Sequence, residues 1–196
     1  DGQCQPMLAA ANILRHARMA GAQLIPHSDV LTIARDISST SSLLRVKTTT
    51  GDYVAPHVIN ASGTWAGEIA ERAGSSLPIM PRKGFILVTA PLPPKIFHKV
   101  YDSDYVDNVA SSDADLQTST VVEGTKSGTI LIGASRQRVG YNKNMDVSVI
   151  KKLAKQATSL YPFLSETQLL RVYNGFRPYS PDHLPVIGED FNVPGL

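Results

Sequence analysis

HVINASGTWAGEIAERAG, residues 57–74, changes character twice in a short span. An apolar strand is expected to end at Asn60, and the small residues Ala61, Ser62 and Gly63 form a turn. A helix then begins near Thr64 and closes at Gly74. Small residues let a ligand come close to the backbone, and the first turn of a helix offers unpaired N–H groups to an anion. Two readings stand at this point. The turn either meets a nucleotide diphosphate or another polar cofactor edge, or it is an ordinary strand-to-helix connection.

Upstream, Met7, Ala11, Leu14, Ala17 and Gly21 recur at spacings of four and three, which predicts an amphipathic helix. Pro6 suits its first turn and Gly21 its C-terminal end. AQLIP (22–26), VLTIARDIS (30–38), LLRVKTT (43–49) and YVAPHVIN (53–60) read as four short strands, with a tight turn at Thr50-Gly51-Asp52. Residues 1–76 are thus expected to form one α/β lobe. From Leu77 strands dominate: GFILVTA (84–90), then 97–106, 117–123 and 128–135, a helix over 146–160 and a last strand at 168–176. That balance predicts a mixed or antiparallel sheet with a helix on one side for residues 77–175, and a return to the first lobe over 176–196. The fold class is α/β with an α+β second lobe.

Composition narrows the function. The chain has 196 residues, 42% of them hydrophobic, and a formal net charge of +2. That permits one sizeable core or two modest lobes. Dispersed Lys and Arg leave no footprint for nucleic acid, and no apolar run is long enough to predict a transmembrane segment. Cys4 is the single cysteine, so no internal disulfide forms and a reducing, cytoplasmic setting is expected. The five histidines are scattered, and Asp102, Asp104 and Asp107 are irregularly spaced, so no metal site is expected. The chain begins without Met and ends just after a turn at Val193-Pro194-Gly195, which reads as a piece of a longer protein.

VINASGTWAGEIAERAG (58–74) resembles the internal flavin-contact segment of the D-amino-acid oxidase/glycine oxidase superfamily of FAD-dependent oxidoreductases. Other segments resemble that family in its own order. Residues 1–30 look like the helix and strand leading to the adenine site, and LPIMPRKGFILVTAPLPP (77–94) like the crossover into the substrate domain. SGTILIGASRQRVGY (127–141) and LYPFL (160–164) look like a substrate-domain strand and helix end, and NGFRPYSPDHLPVIG (174–188) like the return to the flavin. The resemblance implies residues 1–76 and 176–196 as parts of an FAD-binding domain around a substrate-binding domain. Secondary contacts to FAD are expected from Val30, Ala61, Ser62 and Gly63, with Trp65 at the domain interface. The family's opening glycine-rich fingerprint and its closing glycine-rich segment are not among these residues, so this stretch alone is expected to hold FAD weakly and to be inactive. Ser62, Phe85 and His183 stand where the family often has Ala, Gln and Gly, and Phe85 and His183 are expected to alter the pocket.

The implied reaction is oxidation of the CH–NH bond of an amino acid or secondary amine to an imine. Glycerol-3-phosphate or 2-hydroxyacid dehydrogenation, and an inactive substrate lobe, are the alternatives. A carboxylate is the natural handle for orienting such a substrate, and a planar guanidinium grips it with two parallel hydrogen bonds. Arg177 stands where the family places its carboxylate-binding arginine, and Pro178 restrains it to extended geometry. A structural salt bridge to Asp182 is the competing reading. Tyr141 and Tyr179, with Tyr173, are candidates for the pocket wall, and of Arg136 and Arg138 at least one is expected to face solvent. RPYSPDHLPVIG (177–188) looks like the dehydrogenase-type members that work beside partner subunits. That implies electron-transfer partners and a place at the periphery of the inner membrane.

Overall fold

The computed structural model describes residues 2–37, 42–103, 105 and 115–196. Its chain divides into two compact units, residues 1–59, 72–75 and 189–196 in one and residues 60–71 and 76–188 in the other. Asp104, Val106 and Asp107 lie outside the described residues, and of the strand expected at 97–106 only Val100–Tyr101 is in a ladder.

In the first unit, α1 spans Pro6–Met19, with the Gln5 side chain accepting from Leu8 N at 3.0 Å and Pro6 in the first turn. Gly21, just past its end, takes φ 96°, which an L side chain resists. No residue of α1 is buried. Strands β1 (Val30–Arg35), β2 (Leu44–Thr48) and β3 (Asp52–Ala55) form an antiparallel sheet in that order. Ile33 and Leu44 are its buried apolar side chains, and buried Asp36 accepts from Arg45 at 3.0 Å. Two expected strands are corrected. AQLIP is irregular, since it has no partner strand, and YVAPHVIN is extended in a ladder only to Ala55. Pro56 has no N–H to give, and Val58 N donates instead to Gly195 O at 2.8 Å.

In the second unit, β4 (Met80–Thr89), β5 (Val100–Tyr101), β6 (Gln117–Gly124), β7 (Ile130–Arg136) and β8 (Leu169–Tyr179) form one sheet, ordered β5-β6-β7-β4-β8. Every neighbouring pair is antiparallel. Alternation sorts the side chains by face. Phe85 and Leu87 of β4, Val122 of β6 and Ile130 and Ile132 of β7 form one cluster with α3 (Val147–Leu160), which contributes Val149, Leu153 and Ala157. Those three positions are four apart, one stripe of a helix. Asp146 caps α3 by accepting from Ser148 N and Val149 N, and the Ser148 hydroxyl first, then these backbone bonds, hold its carboxyl below the usual range. Phe85, expected at the pocket, is therefore a core residue beneath the helix.

The boundary near residue 76 is not where compactness breaks. The turn Gly63–Trp65 lies against β4 and β8, and α2 (Ala66–Arg72, whose last residue falls in the first unit) follows it directly. A Cβ on Gly67 would stand 2.7 Å from Ile79 O and 3.0 Å from Leu77 O, an approach only glycine allows. At the other end, β8 continues through Tyr179 because its ladder with β4 runs that far, so residues 176–188 stay with the sheet. No helix among the described residues is long and apolar enough to cross a membrane.

Leu153 is 1% exposed at the centre of the helix-sheet core. Leu153→Ala should lower stability by about 2–5 kcal/mol, read as a shift in the urea midpoint with unchanged slope.

Candidate functional site

The face of the second sheet opposite α3 carries a cavity of about 390 Å³. Alternation again decides what reaches it. Arg82 and Ile86 of β4 and Tyr173 and Arg177 of β8 follow it, whereas β7 supplies Gly133 and Arg136, an odd and an even position, across a register shift in its pairing with β6; Val121, Glu123 and Tyr105 complete much of the rim. Three arginines from three strands thus line one concavity.

Arg177 sits where β4 and β8 are paired, directly opposite Arg82. Its guanidinium crosses over Gly84: a Cβ there would stand 2.5 Å from Nη1 and 2.9 Å from Nη2. Nη1 donates to Ser135 O at 3.1 Å, which fixes the plane of the group and leaves its other N–H bonds for a ligand. Burial pushes the Arg177 pKa down, and the positive charge of Arg136 pushes it further. Arg82, a buried residue where Arg177 is exposed, is lowered first by desolvation and then by Arg136, and donates to Gln117 Oε1 at 3.3 Å. Asp182, the alternative partner for Arg177, is engaged by Ser180 Oγ and Leu184 N within its own turn. A guanidinium held flat in an arginine-lined cavity can bind a carboxylate through two parallel hydrogen bonds.

The tyrosines stand behind the cavity wall. Tyr179 is 5% exposed, with the guanidinium carbons of Arg82 and Arg138 at 5.1 and 4.8 Å from its ring centre. His183 packs edge-on against it at 5.4 Å from a turn with φ 60°. Tyr141 stacks on Trp65 at 5.8 Å, meets the edge of Phe176 at 5.4 Å and donates to Thr64 O at 2.7 Å. Burial raises its pKa, with the Glu68 carboxylate adding to the effect. Tyr173, in contrast, is a lining residue.

The turn expected to meet a cofactor is held by Asn60, whose Oδ1 accepts from Ser62 N at 3.3 Å and whose Nδ2 donates to Ala66 O at 2.9 Å. Gly63 has φ 58° and nothing within 4 Å of where a Cβ would stand. Thr64 Oγ1 is buried with no hydrogen-bond partner among the described residues, and Trp65 is half-exposed. Uncovered backbone, an unmet hydroxyl and an exposed indole fit the polar edge of a flat cofactor. Val30 opens β1 in the other unit, where its carbonyl accepts from Arg72. No cluster of three or more His, Cys, Asp or Glu is present among the described residues.

Sequence reasoning found Arg177 but not Arg82, which reads as a strand residue of ordinary type. Arg136 was placed only within a pair. Arg136 and Arg138 are two apart, a spacing that puts both on one face of a regular strand, so spacing alone did not separate them.

A family model described as FAD dependent oxidoreductase (DAO) matches residues 1–196. The hydrogen cyanide synthase subunit HcnC of Pseudomonas aeruginosa is 31% identical over 197 residues, covering all of this chain and 43% of the relative. Glycine oxidase of Geobacillus kaustophilus is 30% identical over 203 residues, again covering all of this chain and 47% of the relative. The crystal structure of glycine oxidase from Geobacillus kaustophilus superposes with a TM-score of 0.79 at 26% identity, over 95% of this chain and 45% of that one. The chain spans less than half the length of these relatives.

Gly84 and Gly175 face each other in register, yet a Cβ on Gly175 would meet nothing within 4 Å. Gly84→Ala in the full-length protein should therefore weaken carboxylate binding by roughly 10- to 100-fold, whereas Gly175→Ala should leave it near wild type. Titration with a simple carboxylate reads the difference.

Proposed function

The chain belongs to the DAO family of FAD-dependent oxidoreductases, and we propose that the whole protein oxidises the CH–NH bond of an amino acid or secondary amine to an imine. What bound FAD supplies is a two-electron acceptor for the C–H bond that is cleaved. Everything else required is orientation, and the chain's own residues provide it. Arg177 grips the substrate carboxylate, and its bond to Ser135 O sets the direction of that grip. Ile86, Tyr173 and Gly133 shape the cavity beside it. The single observation that carries this reading is the Arg177 guanidinium laid flat over Gly84 within an arginine-lined cavity.

Tyr141 and Tyr179 act on the substrate from behind, Tyr179 by supporting the arginines and Tyr141 by fixing the 61–65 turn. Ala61, Ser62, Gly63 and Trp65 would hold the cofactor edge, and Val30 is proposed as a separate FAD contact. In functional terms residues 1–76 and 176–196 form the cofactor domain and residues 77–175 the substrate domain, a division distinct from the compact units. The glycine oxidase relative favours amine oxidation over glycerol-3-phosphate or 2-hydroxyacid dehydrogenation. A partner subunit that takes up electrons, and attachment at the inner membrane, belong to the same proposal. The name of HcnC as a subunit supports the first.

In the full-length enzyme, Arg177→Ala should lower kcat/KM for carboxylate substrates by roughly 30- to 3000-fold, equivalent to about 2–5 kcal/mol. Arg177→Lys should recover only part of this, since an ammonium cannot form the two-pronged contact. Flavin content and melting temperature should stay close to wild type. Normal kinetics with lowered stability would identify a structural arginine and overturn the reading.

A further inference from the structure

We propose that the substrate carries a second anionic group, a carboxylate or a phosphate, and that Arg136 is its handle. This rests on the reading of Arg177 as the holder of the first carboxylate, and it names the class of substrate: a doubly anionic amino acid or amine.

Arg136 is 6% exposed, lines the cavity, and has a buried Nη1 with no hydrogen-bond partner among the described residues. Its guanidinium stands over an aromatic face, the central carbon 4.8 Å from the centre of the Tyr105 ring. A buried cation without an anion is strongly unfavourable, and a ring quadrupole offsets only a small part of that. The surroundings deepen the imbalance. Arg82 and Arg177 are opposite one another in the β4–β8 register, where like charges repel, and Arg136 adds its own field to both. Lys99 is a fourth cation at the cavity. Glu123 is the one carboxylate among the described lining residues, and it lies 3.7 Å from Lys99.

A single carboxylate does not balance this. Seated on Arg177, it does not meet Arg136, whose register partner Gln117 accepts from Arg82. Arg82 already has that amide partner, whereas the Nη1 of Arg136 has none among the described residues. A second anion beside the first meets the unpaired N–H groups of Arg136 and relieves the repulsion among all three guanidinium groups. Arg177 also donates to the carbonyl of Ser135, the residue next to Arg136, so both handles are anchored to the end of β7.

The test uses the full-length, FAD-loaded enzyme. Initial rates are compared for glycine and alanine, for aspartate and glutamate as each enantiomer, and for O-phosphoserine. Wild type should favour at least one doubly anionic substrate by tenfold or more in kcat/KM, with the aspartate and phosphoserine arms telling carboxylate from phosphate. Arg136→Gln should reduce that preference at least tenfold, and Arg136→Lys should restore part of it. Should Arg136→Gln fold poorly, wild type alone decides: malonate or succinate should raise its melting temperature more than acetate or propionate at equal ionic strength. Preference for the singly anionic substrates, or a preference unchanged in Arg136→Gln, overturns the second handle. Loss of activity in Arg177→Ala alongside either result leaves the first handle standing, so the two failures are separable.

Discussion

The ladder between β4 and β8 decides where everything else goes. It runs from Met80 opposite Tyr179 to Thr89 opposite Leu169. Because side chains alternate, one register places Phe85 and Leu87 under α3 and Arg82 and Ile86 on the far side. A slip of one residue would exchange these sets, exposing the core cluster and burying arginines beneath a helix. The apolar cluster therefore enforces the placement of the charged one. Arg82 and Arg177 are held opposite each other, against their repulsion, by hydrophobic burial on the other face of the same two strands.

The same alternation explains what could be read from the residues alone. The strands β4, β6, β7 and β8 and the helix α3 carry long, regular patterns, and each was legible near its observed bounds. YVAPHVIN was not, because Val58 and Ile59 look like strand residues and only the absence of an N–H at Pro56 breaks the ladder. Face is harder than element. Phe85 in a run of apolar residues gives no sign of whether it meets a helix or a ligand, and only the register with Asn174 assigns it. Arg177 was legible because Pro178 and the family resemblance single it out. Arg82 and Arg136 were not, since the cavity is built from four strands drawn from separate stretches of the chain.

The turn at 61–65 and the β8 arginine are joined through aromatic side chains. Tyr141 touches Trp65 on one side and Phe176 on the other, and its hydroxyl is fixed to Thr64 O. Phe176 and Arg177 are adjacent and point to opposite faces of β8. Displacement of the turn would thus be felt at the base of the arginine through a single ring.

The bed of Arg177 has a consequence for how tightly any anion binds. A free arginine side chain samples many rotamers, and fixing it on association opposes binding by as much as about 2 kcal/mol. Here Gly84 lies under the guanidinium and Ser135 O holds one end of it before a ligand arrives. The ordering entropy is therefore lost when the chain folds, not when the complex forms. A backbone atom's worth of missing side chain at position 84 is what makes the hand rigid before it closes.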